Sequence, residues 1–558
     1  MGHVKDSNIL FFVTSPRTPF KMMPEIRLLV ENLSGKPWDR TTQEQFATLL
    51  AKSNVFYGQA KNDKGFSARD RINRAPKALG FVDLKPKIKL TPAGDLFINS
   101  SRPHEIFARQ LLKFQLPSPF HIDSKNNYYI KPYLEILRLI YDLENLSKDE
   151  IKMFALQMVD YRKYDGIKQQ IIEYRQRAKT FDRSQMSYRT FKDNEFNAVI
   201  ARIYKDELNN ISSSADKKDF TTKKKSNMRD YADACFRYLR ATELVTVNRQ
   251  GSYLTISNEK KKEIEFILNT INRVPSKFAS ENEYKEYLYN PLLPVLAIDN
   301  KEKLREILVN YGLSKDEISH KTIFELQDIK EQVIEERKVQ KVKEEVQELK
   351  SFSNFDDIIN LYKDIVDKEV VDQPLMLEWN TWRALAMLDD GEINGNFKLD
   401  SSGMPLNTAL GNMPDIECIY KDFDMIVEVT MSSGKRQYEM EGEPVARHLG
   451  ELKTKDGRPK DRNAYCLFIA PTINEATLAY FFTLHYSKVK YYGGGAKIIP
   501  ISLSDFINLL HVARKHQNKL NSKILMKYLE DLCQKALNAE DEEEWYNEIQ
   551  ESTNNWIA

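Results

Sequence analysis

The sequence predicts a multidomain protein: an α-rich N-terminal region with two helix-then-hairpin subdomains, a helical linker, and a C-terminal α/β domain built on a mixed sheet. Three observations predict it. At 558 residues the chain exceeds what one hydrophobic core can serve, so about three domains are expected. Basic clusters near 61–77 and 217–240 are each followed by two short apolar runs around a polar turn, a helix and then a hairpin. From residue 375 onward, helical apolar periods alternate with short apolar runs, the signature of a sheet with helices on both faces.

Composition narrows the class. With 41% hydrophobic and 29% charged residues and a mean hydropathy of −0.54, the chain has enough apolar content to pack and reads as soluble. No apolar run approaches the roughly 20 residues that span a bilayer, and the first residues lack the apolar core of a signal peptide. No membrane partner is expected. Cys235, Cys418, Cys466 and Cys533 are scattered without a CxxC pair, which predicts neither a zinc site nor a disulfide framework and suits a reducing cytoplasm. The net charge of +2 does not by itself call for nucleic acid; the clustering of basic residues does more.

In chain order, Thr14-Ser15-Pro16-Arg17-Thr18-Pro19 is hostile to helix, and helical periodicity runs through 26–33. A basic helix follows Ser67, its expected N-cap, and ends by Leu79-Gly80. Next come Phe81-Val82-Asp83-Leu84 and Ile88-Lys89-Leu90 as short strands. This order is that of a winged helix-turn-helix, whose basic helix would enter the major groove. It defines a first subdomain over 1–130. A second copy, over 131–274, has a helix running from Lys223-Lys224-Lys225 through Arg240, then strands at 244–247 and 253–256. A charge cluster is commonly a solvated face of snorkelling Lys and Arg. Two such helices, each with a wing, set duplex nucleic acid beside that reading. Arginine pairs bidentately with guanine, while lysine mostly meets phosphate. Arg69, Arg71 and Arg74 are therefore named first as base readers, with Arg17, Ser67, Asp70, Lys225 and Arg229 completing the candidate DNA-binding set.

Over 275–352 the expectation is a helical linker. Residues 323–349 are dense in Glu and Lys, and Val339, Val342, Val346 and Leu349 repeat at 3-4-3 spacing, a narrow apolar seam. The final domain, 353–558, is expected to hold a helix over 375–388, a hairpin over 412–431 and a helix over 436–449. A strand over 465–471, a helix over 474–483, a strand over 497–503 and closing helices complete it. Trp379, Trp382 and Cys466 read as core, His448 as surface, and Glu378, taken alone, as a first-turn acid favoured by the helix dipole.

The chemistry concentrates in the hairpin. Asp415 opens its first strand and Glu428 lies within the second, pointing away from Val427 and Val429 because side chains alternate along a strand. Spacing alone also fits an ordinary hairpin with two solvated acids. Paired carboxylates on a rigid sheet, however, are what a hard cation such as Mg²⁺ takes. Pro414-Asp415, twelve residues, then Glu428-Val429-Thr430 matches the Pro-Asp…(Asp/Glu)-x-Lys nuclease signature, with Thr430 where lysine is usual.

The wider pattern runs through Ser15-Pro16-Arg17-Thr18-Pro19, Phe66-Ser67-Ala68-Arg69-Asp70-Arg71, Lys113-Phe114-Gln115-Leu116-Pro117 and Glu378-Trp379-Asn380-Thr381-Trp382. It continues through Gly411-Asn412-Met413-Pro414-Asp415, Val427-Glu428-Val429-Thr430, Met440 to His448, and Tyr465 to Pro471. On these residues the chain resembles, nearly end to end, the AlwI-type family of type IIS restriction endonucleases, which has strand-nicking relatives. The resemblance implies winged-helix recognition subdomains, a helical linker and a PD-(D/E)xK nuclease domain. It also implies binding of a short asymmetric duplex site, with a GAGTC-like pentamer as the expectation from the nicking relatives, and hydrolysis a few base pairs outside it with Mg²⁺, for which Mn²⁺ would substitute. By position, the family's catalytic acids fall on Glu378, Asp415, Glu428 and Glu441, and the metal ligands on Asp415, Glu428 and the Val429 carbonyl. Lys435, Arg436 and Gln437 are the nearby replacements for the missing lysine.

The implied partners are double-stranded DNA and, for the second strand, a transient homodimer or a small partner subunit; the implied location is the bacterial cytoplasm. A strand-specific nicking enzyme and the large subunit of a heterodimer are close variants. A DNA-binding regulator with an inactive nuclease-like domain is the alternative from another class, and a structure-selective repair nuclease is a third.

Overall fold

The computed structural model describes residues 6–53, 64–121, 128–182, 184–388, 391–409, 413–459 and 461–557, with the side chains of 64–68 excepted. It divides into two compact units: Met1–Asn248 with Ser252–Ile334, and Arg249–Gly251 with Glu335–Ala558.

In the first unit, helix Met22–Leu33 matches the predicted periodicity, and Arg40–Lys52 is capped by the Asp39 carboxylate on the Thr42 N–H. The basic helix spans Lys64–Asn73 and a separate turn spans Ala75–Ala78. Two expectations are corrected here. The described residues are already helical at Lys64, so Ser67 lies inside the helix rather than at its cap. It also breaks at Arg74 instead of running on, because Pro76 has no N–H to donate and its ring would strike the carbonyl four residues back. Val82–Asp83 then pairs antiparallel with Lys89–Leu90. The next helix, Pro92–Asn99, is capped by Thr91. A Cβ on Gly94 would sit 2.0 Å from the Phe81 carbonyl oxygen, so this close approach of helix to hairpin requires glycine.

The second helix-then-hairpin also forms. Its helix is longer than expected, Ser214–Arg240, because Ser213 caps it ten residues before the lysine run. Thr246–Val247 pairs with Tyr253–Thr255, and Asn145–Ser147 adds a third antiparallel strand on the far side of Tyr253–Thr255. Three residues carry no readable alternation, so that strand was invisible in the sequence. Among the described residues no helix is long and apolar enough to cross a membrane.

The 275–352 stretch contains helices Glu281–Tyr289, Lys301–Asn310, Lys315–Ser319 and Ile323–Lys350. Within the second unit, Val342 and Val346 pack on the core and Leu349 is fully buried. Val339 is 53% exposed, so the seam begins one position later than its spacing predicts.

The second unit is organised by a five-stranded sheet, in order Ile498–Ser502, Asn463–Ala470, Phe423–Val429, Ile416–Ile419 and Glu392–Gly395. The first three strands are parallel, and the last two are antiparallel to their neighbours. Strand alternation sends Met425, Val427, Leu467, Ile469, Ile499 and Ile501 to one face. There they pack with helices Phe355–Val366, Gln373–Leu388, Leu503–Lys515, Ser522–Asn538 and Glu542–Thr553. Ile426, Cys466, Phe468, Ala470 and Ile498 go to the other face, under helices Lys435–Thr454 and Glu475–Tyr486. This is the predicted mixed sheet with helices on both faces. The edge strand Glu392–Gly395 escaped prediction because Glu-Ile-Asn-Gly has little β-forming character.

Candidate active site

The two hairpin acids meet through strand register. Ile416 pairs with Val427, so the next step of the antiparallel ladder sets Asp415 opposite Glu428. The Asp415 carboxylate accepts the Val429 N–H at 2.8 Å. It thereby satisfies a backbone donor just past the end of the Ile416–Ile419 strand, and its own orientation is fixed in return.

Glu428 alternates with Val427 and Val429 and so faces helix Lys435–Thr454. It is 7% exposed, and its Oε1 lies 2.7 Å from His448 Nδ1 on that helix. Glu441 lies two turns before His448 on the same face, and its Oε1 accepts the Thr430 hydroxyl at 2.7 Å. Glu378 comes from the opposite layer. It is the sixth residue of helix Gln373–Leu388 and buried, not a first-turn acid, and it accepts the Ala409 N–H at 3.1 Å.

Burial pushes Glu378, Asp415 and Glu428 well above the usual carboxylate range. The next contribution in each case is a neighbouring acid: Asp415 acts on Glu378, Glu428 on Asp415, and Glu441 on Glu428. Glu441 is raised by burial and partly held down by its hydrogen bond from Thr430. Glu378, Asp415 and Glu428 thus each feel the charge of a neighbouring acid, an arrangement that favours a shared cation or a shared proton. Asp415, Glu428 and the Val429 carbonyl offer the hard oxygen donors that Mg²⁺ takes, so the donor chemistry fits a divalent ion. Among the described residues, no three of these acids bring ligand atoms within 4.8 Å of one another. The group of three that does, His104, Glu105 and Glu331, belongs to the first unit.

His448 is a correction. The sequence placed it at the surface, yet it is 8% exposed, and burial and Arg447 hold its imidazole below the ordinary value. Against Glu428 in its ionised form, a neutral ring donates from Nδ1. Nε2 is buried without a hydrogen-bond partner. The missed signal was the seven-residue spacing from Glu441 along a predicted helix, which puts both on one face.

The replacements for lysine separate. Gln437 is fully buried and donates to the carbonyls of Ser432 and Thr472 while accepting the Asn474 N–H. It therefore pins the helix start to the loop after Ala470 and is not a cation substitute. Lys435 and Arg436 are exposed. Arg447 pairs with Glu443 and Glu451 and lowers the Glu428 carboxyl. Trp379, Trp382 and Cys466 are core, as expected.

In the first unit, Arg71 pairs with Glu25, which is fully buried. That guanidinium holds the fold together, a use the sequence did not reveal. Arg74 donates to Thr14 Oγ1 at 2.7 Å and pairs with Asp70 at 2.8 Å. Arg17, 72% exposed, reaches Asp233 at 3.4 Å. Arg69 is exposed. Lys225 and Arg229 lie over the Phe196 ring at 5.3 and 5.9 Å. The side chain of Ser67 lies outside the described residues.

A family model described as AlwI restriction endonuclease matches residues 77–509. No curated protein matches the chain. Among solved structures, similarity is found to the small subunit (R.BspD6I2) of the heterodimeric restriction endonuclease R.BspD6I. That match has 27% identity, covers 35% of this chain and 98% of that one, and has a TM-score of 0.30. The BpuJ1 endonuclease binding domain, in complex with pyrene- and phenanthrene-modified DNA, matches at 15% identity over 48% of this chain and 92% of that one, with a TM-score of 0.32.

Proposed function

This chain belongs to the AlwI restriction endonuclease family, and we propose that it is a type IIS enzyme of that family. In this reading, winged-helix subdomains over 1–130 and 131–274 bind a short asymmetric duplex site. A helical connector over 275–352 leads to a PD-(D/E)xK-like nuclease domain over 353–558, which hydrolyses a phosphodiester bond a few base pairs outside the site with Mg²⁺ or Mn²⁺. The observation that carries it is the row of four acids, Glu378, Asp415, Glu428 and Glu441, each held by at least one hydrogen bond.

Asp415, Glu428 and the Val429 carbonyl are the ligands for the cation. When bound, it supplies Lewis acidity toward a phosphate oxygen and makes water a better nucleophile at neutral pH. The chain's own residues do the positioning. The Val429 N–H orients Asp415, His448 orients Glu428, and Thr430 orients Glu441, so little reorganisation remains when substrate arrives. Glu378 and Glu441, on the two flanking layers, are placed to order the attacking water and take its proton.

Plasmid cleavage with Mg²⁺ tests this reading: Glu428→Ala should bind duplex DNA and not cut it. Undiminished cutting by that variant would sink the proposal. A second reading, a strand-specific nicking enzyme or the large subunit of a heterodimer, is favoured by one observation. Among the described residues there is one such acid array, enough for one strand per event. An open-circular product that never becomes linear would identify it. Binding without any metal-dependent cutting by the unaltered protein would instead support a regulator with an inactive domain. The four cysteines are free and buried, compatible with the proposed bacterial cytoplasm.

A further inference from the structure

We propose that the segment around Thr14 and Arg17, residue Arg74 and the Asn227–Asp233 stretch of the long helix form a single base-reading cleft, in which Asn227 and Asp230 set sequence specificity. This rests on the proposed binding of duplex DNA by the first unit. The sequence distributed its basic residues over two separate subdomains. The fold instead brings Thr14, Arg17, Arg74, Asn227, Asp230 and Asp233 around one cavity of about 480 Å³.

The residues of this cleft differ in how far the fold has already engaged them. Asp233 is saturated: Arg17, Lys148 and Arg237 all pair with it, at 3.4, 2.9 and 3.0 Å. Arg74 is anchored by Thr14 and Asp70 and still 42% exposed. Asn227 and Asp230 are exposed, one turn apart on the same face of helix Ser214–Arg240. Among the described residues neither side chain makes a hydrogen bond or an ion pair. Unlike Arg17, Arg74 and Asp233, which are each partly or wholly engaged, they keep their full bonding capacity.

Their chemistry selects the ligand. A surface that only tracks phosphate is built from Lys and Arg, and an uncommitted carboxylate there repels it. Asp230 has a use only against a donor such as the amino group of cytosine. Asn227 matches the donor–acceptor edge of adenine, and Arg17 and Arg74 match the paired acceptors of guanine. One turn earlier the helix carries exposed Lys223, a group suited to phosphate and indifferent to sequence. Mixed signs inside the cleft and lysine outside it are what direct readout requires.

The test uses the full chain, Mg²⁺ and a duplex library with a randomised core, read by sequencing the cut ends. The unaltered protein first defines its own site; if it cuts nothing, the functional reading fails rather than this inference. Asn227→Ala and Asp230→Ala should each lose roughly five- to 150-fold discrimination at one or two base pairs and keep it elsewhere. Lys223→Ala should weaken all sequences alike. The inference is overturned if both cleft variants keep full discrimination at every position, whether their cutting rate is unchanged or uniformly reduced. Should an alanine variant fail to melt cooperatively, the near-isosteric Asn227→Asp and Asp230→Asn decide by the same criterion.

Discussion

His448 Nδ1 lies 2.7 Å from Glu428 Oε1 beneath helix Lys435–Thr454, while Nε2 of the same ring is buried without a partner. The ring therefore has one defined hydrogen bond, and that bond fixes an acid proposed to hold a metal.

Removing it should loosen Glu428 without unfolding the sheet. His448→Ala is expected to lower cleavage about 10- to 100-fold and to raise the Mg²⁺ concentration needed for half-maximal rate. His448→Asn, which can still donate to a carboxylate, should recover part of the loss. A Mg²⁺ titration of cleavage rate checks this; an unchanged titration curve in the alanine variant would contradict it.

Asp415→Asn and Glu428→Gln are expected to cost on the order of a thousandfold or more in cutting rate, because several kcal/mol of charge stabilisation depend on them. Gel-shift affinity for duplex DNA should stay within a few-fold of the unaltered protein in the absence of metal. Single-turnover cleavage measures the first quantity independently of binding.

Thr430, 7% exposed, donates to Glu441 and accepts the Ser432 N–H. Thr430→Ser should be close to neutral. Thr430→Val, similar in shape but without the hydroxyl, should lower cleavage about tenfold by removing one of the hydrogen bonds that hold Glu441. Thr430→Lys restores the motif on paper, yet it forces an ammonium into a buried position already shaped for threonine. It should destabilise the fold without raising activity, and a thermal melt paired with a cleavage assay would show both.

Glu263 is 7% exposed and pairs with Lys260 at 3.1 Å and Lys330 at 3.5 Å. Burial pushes its carboxyl up, but the two ammonium groups outweigh burial and hold it at about 2. The folded value lies below the ordinary 4.5, so the stabilisation is fully present above that pH and fades as pH falls toward 2. Glu263→Gln should therefore cost about 3–5 kcal/mol at pH 7, the range for breaking a buried pair, and progressively less below pH 4.5. Denaturant unfolding at pH 7 and pH 3.5 gives the comparison; an equal cost at both would refute it.

Arg71→Ala should also behave as a fold variant. It leaves Glu25, fully buried, without its guanidinium, so stability should drop by about 3–5 kcal/mol. Below its melting temperature, site discrimination should be unaltered.

Element type was largely legible. In the second unit, helix Gln373–Leu388, the hairpin strands, helix Lys435–Thr454 and the strands and helices from Asn463 to Ser502 fall where apolar spacing places them, because burial on one or two faces writes its period into the chain. The acids at Asp415 and Glu428 were found through their motif, and Glu378 and Glu441 only through resemblance. What escaped were short or weak elements, Asn145–Ser147 and Glu392–Gly395, whose pairing comes from neighbours rather than from their own composition. Arg71 and Gln437 escaped for a related reason: nothing local distinguishes a cation that reads DNA from one that neutralises a distant buried acid.

By itself, then, the sequence determined most of the longer helices and strands, that the final sheet is covered on both faces, and which carboxylates are candidates for the site. Only the tertiary structure decided who holds those carboxylates, by bringing His448 onto Glu428 across 20 positions and Thr430 onto Glu441 across 11. It alone also brought Arg17 and Arg74 to the same cavity as Asn227 and Asp230. Periodicity records which side of an element is buried. Hydrogen bonds and clefts depend on which two buried sides meet, and that is settled by packing.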